Sequence, residues 1–107
     1  MKYRVIIDPQ AKQDLKEIFL YVAVIDSFEA ANKLLNNLEL MCLKLEKFPE
    51  RGHIPEEIRT TGIKKYLEIY YKPYRIIYEI KNDLVYIHSV LDGKRNIQEI
   101  LTGRILR

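Results

Sequence analysis

Between residues 31 and 45, apolar side chains recur every three or four positions, and this pattern restricts the fold more than any other feature of the chain. The spacing places these side chains on one face of an α-helix, so the segment predicts an amphipathic helix. Its apolar stripe consists of Ala31, Leu34, Leu35, Leu38, Met41, Cys42 and Leu45. Such a helix must bury its stripe against another apolar layer, which predicts a fold with at least two layers.

A second amphipathic helix precedes this one. Asp8 suits the N-cap position and Pro9 the first helical position. Helical spacing continues through Ala11, Leu15, Ile18, Phe19 and Val22. The break at residues 25–27 offers Asp26 or Ser27 as the next N-cap, and so short a connection predicts an antiparallel helix hairpin.

The rest of the chain predicts strands. Lys2 to Ile7 is an opening strand, and residues 49–62, with two prolines and two glycines, are a long surface loop. The later strands are Ile63 to Tyr71, Tyr74 to Ile80 and Leu84 to Leu91, and a short helix follows Gly93. The order β-α-α-β-β-β-α predicts a single α+β domain over residues 1–107, with the opening strand and the helix hairpin packed on an antiparallel sheet. The sheet face away from the helices is where we expect the site.

Composition excludes several classes of protein. A single cysteine, Cys42, rules out a disulfide framework and a Cys-based zinc site, and its place in the helix stripe favours a core residue over a nucleophile. No signal-peptide pattern opens the chain and no apolar run approaches the roughly 20 residues of a membrane span, so we expect a cytoplasmic protein without membrane contact.

Charge is distributed unevenly. The formal net charge is +3, and the whole excess lies in residues 48–107, where eleven basic residues accompany eight acidic ones. A basic second half suits an anionic partner, either nucleic acid or an acidic protein segment, although ordinary solvated charge explains it equally well.

Five segments spread over nearly the whole chain carry a family resemblance. They are Tyr3 to Ile7, the helix positions Ala11, Asp14, Leu15, Ile18 and Tyr21, the run Leu45, Phe48, Pro49 and Gly52, the segment Tyr74 to Ile80, and the segment Tyr86 to Leu91. In this order they resemble the RelE/ParE superfamily of toxins from bacterial type II toxin-antitoxin systems. The resemblance implies a growth-inhibiting toxin that a cognate antitoxin neutralises, as either a homodimer or a toxin-antitoxin hetero-oligomer.

The stretch after the last strand departs from part of that superfamily. Many relatives have a histidine, two basic residues and an aspartate there, whereas in residues 92–96 of this chain only Lys94 and Arg95 fit. Members that cleave mRNA on the ribosome usually also carry an aromatic residue or histidine near the C-terminus, and none follows His88. The resemblance therefore favours ParE-like members, which inhibit DNA gyrase, over RelE-like ribosome-dependent mRNA endoribonucleases. A decayed toxin that retains only antitoxin binding is a third alternative.

The candidate site residues follow from the chemistry of the two main alternatives. Metal-independent RNA cleavage needs a base, an acid and cations that hold the phosphate. A nuclease would use Arg75, His88 and Arg95 as catalytic residues, and the target- or anion-binding set is Lys64, Lys65, Arg75, Lys94 and Arg95. No P-loop, dinucleotide-binding glycines or metal-ligand spacing occurs, so we expect neither a cofactor nor a metal.

Strand alternation predicts where these side chains point. Lys64 and Lys65 should face opposite sides of their strand, and Arg75 should face away from the helices. There Arg75 suits a phosphate or carboxylate ligand, or equally a structural pair with Glu68 or Glu79. His88 should share a face with Leu84, Tyr86 and Val90, and a packed or hydrogen-bonded histidine is the alternative to a catalytic one.

Overall fold

A computed structural model describes residues 2–93 as two helices packed on a four-stranded sheet. The strands are β1 (Arg4–Ile7), β2 (Tyr66–Tyr71), β3 (Tyr74–Lys81) and β4 (Leu84–Asp92), and the helices are α1 (Pro9–Ile25) and α2 (Phe28–Leu43). Short 3₁₀ helices at Lys44–Glu46, Pro49–Arg51 and Glu56–Thr61 lie between α2 and β2. The predicted α+β class is confirmed, and the predicted C-terminal helix lies outside the described residues.

Both helices begin at capping residues that the sequence indicates. The Asp8 carboxylate accepts the Gln10 N–H at 2.9 Å, and the Ser27 hydroxyl accepts the Ala30 N–H at 3.0 Å. Ser27, rather than Asp26, is therefore the second N-cap. Each cap satisfies a backbone donor that the first helical turn leaves unpaired. The short connection folds α2 back against α1, as predicted.

The sheet has the order β1-β4-β3-β2. β2, β3 and β4 form the predicted antiparallel meander. β1 extends it by pairing in parallel with β4, in a register that runs from Arg4 opposite Leu84 to Ile7 opposite Ile87. The sheet is therefore mixed, and the helix hairpin forms part of the long connection that parallel pairing requires.

The main core lies between the hairpin and one face of the sheet. Its fully or nearly fully buried members are Ala11, Leu15, Leu38, Cys42, Leu45, Ile76, Tyr78, Val85, Ile87 and Val90. Leu34, Leu35 and Met41 from the predicted stripe pack against this set, so the stripe is confirmed as the buried face of α2 and the short 3₁₀ helix that follows it.

Cys42 is fully buried in this core, and burial raises the pKa of its thiol to about 12. We therefore expect the folded protein to resist alkylation by iodoacetamide at pH 8, because only about one thiol in 10⁴ would be ionised at that pH and the thiolate is the reactive species. Mass spectrometry should show modification only after denaturation. Stoichiometric alkylation of the native chain within minutes would contradict the buried position.

The opposite face of the sheet is partly covered. Glu56–Thr61, which we call the covering segment, packs Ile58 against Tyr66, Ile77 and Leu91 in a second, smaller core. Ile58 is only 1% exposed. The prediction that residues 49–62 form a surface loop was wrong at this point, because a lone isoleucine among polar residues has no periodicity that would reveal its burial.

Pro49 and Gly52, both part of the family resemblance, hold the end of the Tyr78 side chain. The buried Tyr78 hydroxyl donates to the Pro49 carbonyl and accepts the Gly52 N–H. A Cβ at position 52 would overlap this hydroxyl and lie 2.7 Å from the Glu68 carbonyl oxygen. Glycine is therefore required by close approach, and the contact fixes the segment that leads to the covering segment.

Neither helix in residues 2–93 is long and apolar enough to cross a membrane.

Candidate functional site

Two clusters of polar side chains lie on the sheet face away from the helices. The arginine cluster consists of Arg75, Glu57 and Glu68, and the histidine cluster consists of His88 and Glu79 with the rings of Tyr66 and Tyr86. Neighbouring strands place residues of the histidine cluster side by side, since Tyr66 pairs with Glu79 and Glu79 with Tyr86. The predicted residues Arg75 and His88 thus share a face but belong to separate clusters.

Arg75 lies between two carboxylates. Its Nε and Nη2 donate to Glu68 at 2.8 and 2.9 Å, and its Nη1 and Nη2 donate to Glu57 at 2.7 and 2.8 Å. Both contacts are bidentate, the strongest arrangement for this pair of groups. The hydrogen bonds that Arg75 donates to Glu57 raise the pKa of Arg75 above its ordinary value; burial opposes this increase, and Glu68 adds to it.

Burial isolates this cluster from solvent. Arg75 is 6% exposed and Glu68 is fully buried, while the Glu57 side chain retains 29% exposure. Of the two alternatives for an ion pair that the sequence left open, Glu68 is the partner of Arg75. Glu57 was not identified from the sequence, because nothing in the local pattern connects a loop glutamate with a strand arginine eighteen residues later.

His88 occupies a β-bulge. On β3, Ile77 pairs with Ser89 and Tyr78 with Ile87, so β4 has one additional residue, His88, between these two pairs. Beyond the bulge, the side chains of β4 no longer follow the simple alternation between the two sheet faces. Val90 therefore packs in the main core against the helices. The prediction that His88 and Val90 share a face was wrong for this reason.

The histidine cluster has the geometry of an oriented imidazole. His88 Nε2 lies 3.0 Å from Glu79 Oε1, and the side chain is 27% exposed. The Tyr66 ring meets the His88 ring edge to face at 5.2 Å, and the Tyr86 ring stacks at 6.5 Å. A carboxylate that fixes one ring nitrogen leaves the imidazole suited to proton transfer, or simply to a stable packed position.

The predicted lysines Lys64 and Lys65 lie just before β2. The strand begins at Tyr66 rather than Ile63, so the predicted start of the strand was wrong, and Lys64 and Lys65 are exposed residues of the preceding segment. The Lys65 ammonium lies 5.2 Å from the centre of the Tyr66 ring and so adjoins the histidine cluster. Lys94 and Arg95 lie outside the described residues.

His53, which the sequence placed in a loop, pairs through its backbone with Glu68 and lies with Nε2 3.9 Å from the Glu68 carboxylate. Its side chain is 54% exposed. Within residues 2–93, no group of three or more His, Cys, Asp and Glu side chains is arranged to hold a metal ion.

The electrostatics of this face do not favour an anion. In the described part of the chain, the two clusters and the adjoining Lys65 contain three carboxylates, from Glu57, Glu68 and Glu79, against the cations of Arg75 and Lys65. A phosphate that approached Arg75 would have to displace a carboxylate from a charge-assisted bidentate contact.

A groove on the helix hairpin adjoins β1, which is an edge strand of the sheet. Its volume is about 410 Å³. The lining is Ile7, Leu15, Phe19 and Leu35 with Lys12, Lys16, Asn32 and Glu39. Apolar walls with charged residues among them are typical of surfaces that bind amphipathic helices.

The helix hairpin on a four-stranded sheet, with the family residues at their predicted places, defines a RelE/ParE superfamily toxin. Residues 5–97 match the model of the family described as the ParE toxin of the type II toxin-antitoxin system, parDE, and the chain belongs to this family.

Relatives and solved structures agree with this assignment. Toxin ParE3 of Caulobacter vibrioides is 28% identical over 94 residues, which cover 88% of this chain and 90% of that protein. A structure of a chromosomal ParDE system from P. aeruginosa has a TM-score of 0.71 at 15% identity and covers 85% of this chain and 96% of its own. The toxin-antitoxin complex RelBE2 from Mycobacterium tuberculosis has a TM-score of 0.63 at 18% identity, with 86% and 92% covered. At these identities the two structures establish likeness of fold.

Proposed function

We propose that this toxin arrests growth by binding DNA gyrase in the cytoplasm, as a protein inhibitor rather than a ribonuclease. The burial and hydrogen bonding of Arg75 are the observation that favours the inhibitor over the nuclease. In a nuclease, Arg75 would hold the phosphate, but here its guanidinium is buried and bonded to both Glu57 and Glu68. Membership of the ParE family supports the same choice, because the ParE-like members that this chain resembles inhibit gyrase.

The alternative function is a ribosome-dependent mRNA endoribonuclease, and one observation favours it. His88 is partly exposed and hydrogen-bonded to Glu79, an arrangement that supports general acid-base catalysis. In that case His88 would be the catalytic residue, and Lys65, Lys94 and Arg95 would hold the phosphate in place of Arg75. These roles belong to the nuclease alternative alone.

Induced expression in a bacterial host separates the two functions. We expect growth arrest with relaxed plasmid DNA and intact mRNA, because a gyrase inhibitor stops supercoiling and leaves transcripts uncut. The His88→Ala variant should arrest growth as strongly as the wild type, since this histidine then has no catalytic task. Plasmid topology on chloroquine gels and primer extension on mRNA provide the readouts.

The contrary result is equally clear. Cut mRNA with normal supercoiling, abolished by His88→Ala in a variant that keeps its circular dichroism spectrum, would replace the inhibitor with the nuclease. Glu79→Gln is the matched second variant, because it removes the carboxylate charge next to His88 while retaining the side-chain shape. A nuclease that depends on the oriented imidazole should lose activity in both variants.

We infer that the groove at α1, α2 and the edge of β1 binds the cognate antitoxin. The solved structures of the P. aeruginosa and M. tuberculosis systems are by title toxin-antitoxin systems or complexes, which supports such a partner for this chain. Lys12 and Lys16 in the lining suit an amphipathic segment with acidic residues beside its apolar face. Co-expression of the antitoxin should restore growth in the same cultures, and continued arrest would argue against neutralisation by that partner.

A further inference from the structure

The turn between α1 and α2 exposes a group of large apolar side chains. We call it the hairpin tip, and it consists of Leu20, Tyr21, Val24, Ile25 and Phe28. Val24 is 84% exposed, and the other four are between 51% and 64% exposed. Single apolar residues on a surface are ordinary, but a contiguous group around one turn is characteristic of a protein-binding surface.

Acidic side chains predominate in the segment that contains the hairpin tip. Residues 17–30 contain three acidic residues, Glu17, Asp26 and Glu29, and no lysine or arginine. All three are exposed. The tip is therefore apolar and negative on a chain whose formal net charge is +3. Its complement is an apolar protein surface that also carries lysine or arginine, whereas the negative charge opposes contact with RNA or DNA.

A cleft beside the tip is also lined by acidic and aromatic side chains. Its volume is about 220 Å³, and Glu17, Tyr21 and Tyr74 line it together with Asp14 and Asp92. The exposed Glu17 carboxylate and the tyrosine rings of this cleft suit the cationic end of an arginine or lysine side chain. The side of α1 that faces this cleft thus differs in charge from the groove side, which has Lys12 and Lys16.

We propose that the hairpin tip and this cleft form the surface that docks on gyrase, against a basic and partly apolar patch of that enzyme. The proposal rests on the proposed function, in which gyrase is the target. An enzyme that holds DNA must present lysine and arginine to the phosphates, and an acidic, apolar tip is complementary to such a surface. The same tip would be repelled by ribosomal RNA.

This placement also explains how a groove ligand can neutralise the toxin. The Phe19 ring, which lines the groove, packs edge to face on the Phe28 ring of the tip with their centres 5.5 Å apart. A segment bound in the groove therefore lies next to the hairpin tip and competes with the target for space. In this proposal antitoxin and gyrase bind to opposite sides of α1. They cannot bind together, because both binding sites extend to Phe28.

The test compares inhibition of gyrase supercoiling in vitro by the purified full chain and two variants. Val24→Lys places a cation in the middle of the tip, and we expect it to require at least about tenfold more protein for half-inhibition, the usual loss when a central interface residue is removed. The matched control is Leu40→Lys, the same kind of change at a 53% exposed site on α2. Leu40 lies about 18 Å along the helix axis from Phe28, and the control should inhibit like the wild type.

The outcomes separate the two proposals. Inhibition by the wild type and Leu40→Lys but not by Val24→Lys, with equal thermal stability in all three, supports the tip as the docking surface. Equal inhibition by all three, or equal loss in both variants, overturns the tip and leaves gyrase as the target. No inhibition by the wild type overturns the proposed function, and the docking proposal with it.

Discussion

Replacing Arg75 with methionine should lower the free energy of unfolding by about 3–5 kcal/mol, the usual cost of removing one partner from a buried ion pair. The substitution leaves the Glu68 carboxylate in a site with no exposure and without the guanidinium that neutralises it. Since domains of this size are stable by only about 5–15 kcal/mol, this loss is a large fraction of the total stability. Urea unfolding monitored by circular dichroism measures the loss.

A matched control and a double variant identify the cause. Arg59 forms an ion pair with Glu56 at 2.7 Å, but both side chains are well exposed, so Arg59→Met should cost no more than about 1 kcal/mol. Combining Arg75→Met with Glu68→Met removes both buried charges and should recover part of the loss. If the double variant is no more stable than Arg75→Met alone, the unpaired Glu68 carboxylate is not the source of the destabilisation.

The same ion pairs determine how mutational data on Arg75 are interpreted. A strand arginine in a toxin of this superfamily is an obvious choice for mutagenesis, and Arg75→Met is expected to weaken toxicity through its effect on folding. Because that loss would follow from unfolding, it carries no information about phosphate binding. His88 and Val24 are more informative positions, since one is partly exposed in a polar cluster and the other is almost fully exposed.

Local chemistry explains the part of the fold that was predictable from the sequence. Asp8 and Ser27 begin the helices because each accepts a backbone N–H within three residues. The turns at Lys72-Pro73 and Asn82-Asp83 connect the meander as predicted, and Asn82 adopts the positive φ of 58° that asparagine tolerates well. Each of these interactions joins residues that are close together in the sequence, so a local sequence pattern is enough to predict it.

The site depended on longer-range interactions and was predicted only in part. Arg75 and His88 were selected by residue type and do lie on the face away from the helices, but their environments were not predictable. Glu57 reaches Arg75 only because the covering segment folds onto the sheet. The bulge at His88 breaks the twofold alternation on which the prediction for Val90 relied. Both features arise from packing between segments that are distant in sequence.

The covering segment provides a direct test of that packing. Ile58→Ala should cost about 2–5 kcal/mol, because it removes most of a buried side chain from a small cluster with little capacity to rearrange. The first structural effect should be confined to the covering segment and the residues next to it. Amide hydrogen exchange should accelerate in residues 52–62, which Ile58 holds against Tyr66, Ile77 and Leu91, before it accelerates in α1 and α2.

Ile63→Ala is the matched control, since it makes the same change just beyond the covering segment at a site with 43% exposure. It should alter stability by no more than about 0.5 kcal/mol, the usual effect of a surface substitution. Similar costs for both variants would mean that the second core contributes little. A large cost for Ile58→Ala alone would show that the covering segment is part of the folded unit and not a loose loop.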